Sequence, residues 1–191
     1  MQAAETAGKL ARVVDVPGNA RRLSPEERAA SGKAARAAAP LEAHADVHPA
    51  PARDPIGLLV EQAKTRVPEL VPIRHGRMLV SPFTFYRGAA LVMAADLWTT
   101  PTSGLHTQLC GDAHLSNFGA YASPERRLVF DINDFDETLP GSFEWDVKRL
   151  AASLVVAGRE NGFTAKQCRK ITLAGASKDA LKKLPEFQFK K

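Results

Sequence analysis

Apolar residues first recur with helical spacing at Ile56, Leu59, Val60, Ala63 and Val67, one face of an amphipathic helix. Asp54-Pro55 opens it as an N-cap followed by proline at the first helical position, and Pro68 closes it. Ser81-Pro82 repeats the opening signal. The stripe Phe83, Tyr86, Ala90, Met93 and Leu97 predicts a second helix. Gly88 costs its interior about 1 kcal/mol relative to alanine, so a kink or close packing is expected there. The period then changes. Residues 105–110 read as a short strand, and residues 118–122 and 127–132 as a hairpin around Ser123-Pro-Glu-Arg126. A third helix is predicted over 143–160 from Val147, Leu150, Ala151, Leu154, Val155 and Gly158. Glu144 and Asp146 stand in its first turn, where the helix dipole favours carboxylates. Asn161-Gly162 supplies a C-cap, and a fourth helix is expected from Thr164.

Outside this span the pattern fades. Residues 1–52 are rich in Ala, Arg, Glu and Pro, and predict a disordered or weakly helical extension with a short helix from Ser24. The segment 40–53, with Pro40, Pro49 and Pro51, reads as a linker. Residues 53–177 form the expected ordered domain, and residues 178–191 a basic tail. The element order predicts an α+β domain, mainly helical, with a small antiparallel hairpin.

Composition adds limits. Of 191 residues, 45% are hydrophobic and 25% charged, as in ordinary soluble domains. The formal charge of +5 does not point to nucleic acid, because the last fourteen residues alone hold five lysines against two acids. Residues 131–146 hold six carboxylates and no Lys or Arg, and no stripe of basic and aromatic residues is present. Two cysteines and the lack of an apolar leader lead to an expected cytoplasmic location. No apolar run reaches membrane-spanning length, so no membrane partner is expected.

The chemistry concentrates in two segments. Cys110-Gly-Asp-Ala-His-Leu-Ser-Asn-Phe-Gly119 places Asp112 five residues before Asn117 in a loop opened by glycine. Phe130-Asp-Ile-Asn-Asp-Phe-Asp-Glu137 places carboxylates at the end of an apolar strand. Antiparallel pairing brings the start of one hairpin strand beside the end of the other, so Asn117 and Asp134 can converge, with Asp112 on the entering loop. Two oxygen ligands, completed by waters and substrate phosphates, suit magnesium. A separate carboxylate can take the proton of an attacking hydroxyl. The crowded acids call for a cation. Arg74, Arg77 and Arg87 are candidate partners for them or for phosphate, and Lys148 and Arg149 could also serve.

The segment Gly111-Asp-x-x-x-x-Asn117 followed by Asp134 resembles the catalytic loop and metal-binding aspartate of the protein-kinase-like superfamily. It is most similar to the aminoglycoside and choline phosphotransferase branch, whose pattern is His-Gly-Asp-x-x-x-x-Asn. The resemblance implies Asp112 as catalytic base, Asn117 and Asp134 as magnesium ligands, and Asp146 as support for the loop. Cys110 stands where that pattern has histidine. Pro72-Ile-Arg-His-Gly-Arg-Met78, Ser81-Pro-Phe-Thr-Phe-Tyr-Arg-Gly88 and residues 110–119 and 130–150 resemble the bacterial domain of unknown function numbered 2252. That family implies a kinase-like fold in a longer protein, with a glycine-rich nucleotide-binding segment downstream. Its implied cofactors are magnesium and ATP, its acceptor is unspecified, and this chain is expected to be truncated and inactive alone. His114 and Arg87 are read as structural support.

Other readings of the same residues stand beside this one. Asp112 and Asn117 are also common turn residues. A non-catalytic, pseudokinase-like chain and nucleotidyl transfer on the same fold are the alternatives. Zinc at Cys110, His114, His106 or His75 lacks the usual ligand spacing. A metal-dependent phosphoesterase would need further ligand clusters.

Overall fold

A computed structural model of the protein describes residues 23–46 and 52–176. The expectations for the first 22 residues and the basic tail lie outside the described residues. Seven α-helices are described: α1 (Pro25–Ala38), α2 (Pro55–Ala63), α3 (Val71–Met78), α4 (Pro82–Gly88), α5 (Ala90–Leu97), α6 (Glu144–Glu160) and α7 (Ala165–Gly175). Four strands, β1 (His106–Leu109), β2 (Phe118–Ala122), β3 (Leu128–Ile132) and β4 (Leu139–Ser142), make two antiparallel pairs. The fold is α+β, as the hydrophobic pattern predicts.

Local signals set most helix starts. Ser24, Ser81 and Thr164 each accept the backbone N–H three residues on and form capping boxes with Glu27, Thr84 and Gln167. Asp54 accepts from Gly57 N at 2.8 Å. The first amphipathic helix is shorter than its apolar spacing suggests, ending at Ala63. Leu58 and Leu59 are its buried residues, whereas Ile56, Val60 and Val67 are exposed. Pro72 does not prevent α3, because a proline in the first turn removes only an N–H that has no helical partner. The helix expected over residues 83–97 is two helices, broken at Ala89. Gly88 explains the close contact at the break. A Cβ there would lie 2.5 Å from Met78 Sδ, and Met78 is buried.

The chain divides into two compact groups of residues. Among the described residues, the first holds 23–46, 52–68, 91–109 and 139–145, and the second holds 69–90, 110–138 and 146–176. In the first, β1 pairs with β4 from His106↔Ser142 to Leu109↔Leu139. Strand β4 was not expected, since Pro140 and Gly141 are both poor strand residues; Pro140 is tolerated in a two-stranded pair, where every strand is an edge. Leu58, Leu59, Val92, Leu97 and Leu109, with Ala35 and Ala39, are its buried apolar residues. In the second, β2 and β3 pair from Phe118↔Ile132 to Ala122↔Leu128, the expected hairpin. Helices α6 and α7 pack closely there: a Cβ on Gly158 would come 2.8 Å from Cys168 Sγ. Cys110 and Cys168 are both buried and unbridged.

Candidate active site

The loop from Cys110 to Asn117 is held mainly by its backbone. Asp146, in the first turn of α6, accepts Cys110 N on Oδ2 at 2.7 Å and Gly111 N on Oδ1 at 3.1 Å. Gly111 has φ +82, and a Cβ there would overlap the carbonyl oxygen of Glu137. Only glycine combines that left-handed backbone with so near an approach. Further along, Asp112 O accepts both His114 N at 2.7 Å and Asn117 Nδ2 at 2.8 Å. Ser153 of α6 accepts Leu115 N at 3.0 Å.

The acidic strand end lies against this loop. Asn133 N donates to Asn117 O at 3.0 Å, extending the hairpin by one bond. Cys110 Sγ donates to Asp134 O at 3.3 Å. The structure therefore brings Asp112, Asn117, Asp134 and Asp146 into one neighbourhood. Asn117 is buried, and no described residue hydrogen-bonds to its Oδ1. Asp134 is exposed; its Oδ1 accepts Asp136 N at 3.2 Å.

Arg149 supplies the counter-charge. It is 2% exposed. Its Nε donates to Asp112 Oδ1 at 2.6 Å, and its Nη2 reaches the same oxygen. Tyr86 clamps it twice: Tyr86 O accepts Nη2 at 2.9 Å, and Tyr86 OH donates to Arg149 O at 2.7 Å. The guanidinium also lies over the phenol ring, 4.5 Å from its centroid. Burial pushes the Tyr86 phenol up to about 12, so it stays a donor at neutral pH. The sequence marked Arg149 only beside Lys148, as a basic neighbour of the acids. The position of Tyr86 opposite it depends on tertiary packing, and no sequence signal marked it.

A family profile described as uncharacterized protein conserved in bacteria (DUF2252) matches residues 66–181, more than half of the chain. The chain belongs to this family. The match contains all of the side chains just described in this DUF2252 protein. No curated protein and no solved structure matches the chain.

The charges of the DUF2252 site act on one another. Burial pushes the Cys110 thiol up, and the carboxylates of Asp146, Asp112 and Asp134 add to that. Burial also raises Asp146 against the opposing effect of the Cys110 and Gly111 N–H groups. His114 is 3% exposed, its ring edge-on to Phe83 with centroids 6.4 Å apart. Its Nε2 lies 3.7 Å from Asp112 Oδ2, and its Nδ1 is buried without a partner. Burial holds the imidazole below its ordinary value. Asp112 opposes this, while Arg149 and Arg87 reinforce it. Arg87 is exposed and acts on His114 through its charge; Arg74 donates instead to Gly88 O at 2.7 Å.

Among the described residues, no group of three or more His, Cys, Asp or Glu could hold a metal. The oxygen donors of Asn117 and Asp134 fit magnesium in kind, since that ion commonly takes one or two protein oxygens and completes its shell with water and phosphate. No described helix is long and apolar enough to cross a membrane.

Proposed function

We propose that this chain carries the catalytic-loop half of a kinase-like phosphotransferase, with ATP as donor and an acceptor bearing a hydroxyl group. The observation behind this reading is the double restraint of the 110–117 loop. Asp146 accepts the N–H groups at its start, and the Asn117 amide at its end donates to the Asp112 carbonyl. Such restraint is what a reaction dominated by positioning requires. Asp112 is the base. Its Oδ1 is committed to Arg149, so Oδ2 takes the acceptor proton as the acceptor oxygen bonds to the γ-phosphorus and the bond to ADP breaks. Asn117 and Asp134 would hold magnesium, which would neutralise charge on the phosphates. Nucleotidyl transfer is the close variant on the same residues.

The Asp112–Arg149 pair also supports a second, non-catalytic reading, in which the carboxylate serves to anchor the buried arginine. Calorimetric titration with ATP and magnesium separates the two. The phosphotransferase reading expects saturable heat, with binding at least about tenfold weaker in Asp134→Ala, equivalent to 1.4 kcal/mol. Equal binding by Asp134→Ala rejects the metal assignment, and absence of heat in the unaltered protein supports the non-catalytic reading. Magnesium-dependent ATP consumption by a longer family member, with and without the substitution equivalent to Asp134→Ala, tests turnover directly.

A further inference from the structure

A cavity of about 250 Å³ opens within the first group of residues, lined by Trp98, Thr100, Thr102, His106, Ser142 and Trp145. Its chemistry is distinct from that of the acidic loop. Trp98 and Trp145 meet with centroids 6.0 Å apart and planes tilted by 50°, which makes an angled indole wall. They are the chain's two tryptophans. Three hydroxyl side chains share the lining with His106. Thr100 is 7% exposed and its Oγ1 donates to Leu97 O at 2.8 Å, so its lone pairs remain to accept. Ser142 is 5% exposed, and what remains accessible of it lines this open space.

The lining contains no carboxylate, lysine or arginine, and its one ionisable group, His106, is exposed. A phosphate, carboxylate or ammonium group would find no counter-charge there. The volume falls below that of pockets for drug-sized ligands, which run from about 300 Å³, so the occupant is a single small ring. Indole faces are electron-rich and attract polarised C–H groups. Hydroxyl groups both donate and accept and can rotate to suit a partner that does the same.

We propose that this cavity binds an uncharged polyhydroxylated ring, a pyranose sugar, its C–H face on the indole wall and its hydroxyls on Ser142, Thr100 and Thr102. A nucleobase would also stack on the indole wall, and adenosine is the control that separates the two. The inference is independent of the phosphotransferase reading, because none of its residues belongs to the acidic site.

Tryptophan emission tests it in the intact chain, since both fluorophores line the cavity. Glucose, galactose and N-acetylglucosamine are titrated separately, with glycerol and adenosine as controls. The expected result is a saturable emission change with at least one sugar, with a dissociation constant on the order of millimolar, as a ligand of so few atoms allows. Ser142→Val and Thr102→Val should each weaken binding about tenfold, with circular dichroism confirming that they fold. Thr102 is only partly buried and serves if Ser142→Val does not fold. The proposal is overturned by no saturable response to any of the three sugars, by a response to adenosine alone, by a matching response to glycerol, or by unchanged sugar binding in the folded variants.

Discussion

Arg149 holds a buried charge opposite a carboxylate that is itself largely covered, and such pairs matter most when one member is removed. Replacing Arg149 with methionine strands Asp112 and should cost about 3 kcal/mol in urea unfolding. The double variant Asp112→Asn, Arg149→Met should recover a substantial part of that loss. If the two substitutions simply add, the pair is not coupled. His114 gives a prediction in pH. Its folded-state pKa is depressed from 6.5, chiefly by burial. The unfolded chain therefore takes up a proton first as pH falls, and stability follows the difference in bound protons. The contribution of the neutral imidazole is fully present above pH 6.5 and is lost as pH falls through the folded value. The unaltered protein should lose stability below pH 6.5, and His114→Gln should lose less over the same interval. Parallel curves from thermal melts across that range would contradict the assignment.

Elements defined by local chemistry were readable from the chain: three helix caps, the β2–β3 hairpin and the Gly162 turn with φ +75. Those signals lie within a few residues of what they control. Strand β4 was not readable, because its pairing with β1 alone makes Leu139-Pro-Gly-Ser142 extended. Helix α3 was hidden by Pro72 and by too few apolar residues to mark a face. Within the site, Asp112, Asn117 and Asp134 stood out by spacing, whereas the Arg149–Tyr86 clamp links positions 63 apart in sequence. The loop between Leu109 and β2 also sets a backbone requirement. Gly111→Ala would combine a left-handed conformation with a collision against the Glu137 carbonyl. It should destabilise the protein by at least about 2 kcal/mol, read as a shift in urea midpoint at constant slope. A midpoint within error of the unaltered protein would show that the 133–137 segment gives way freely.

At the scale of the molecule, the two groups of residues carry separate optical and chemical labels. Both tryptophans lie in the first and both cysteines in the second. Magnesium and ATP, if bound at the acidic loop, should raise the midpoint of thermal unfolding in proportion to the logarithm of ligand concentration. Circular dichroism should register that shift, and Asp134→Ala should diminish it. The two thiols are each 3% exposed, so an alkylating reagent can modify them only when their surroundings open. Timed alkylation followed by mass measurement would thus clock the opening of one half of the chain while indole emission follows the other. Two coincident time courses would mean that the halves come apart as one cooperative unit, and two separate ones would assign each half its own lifetime.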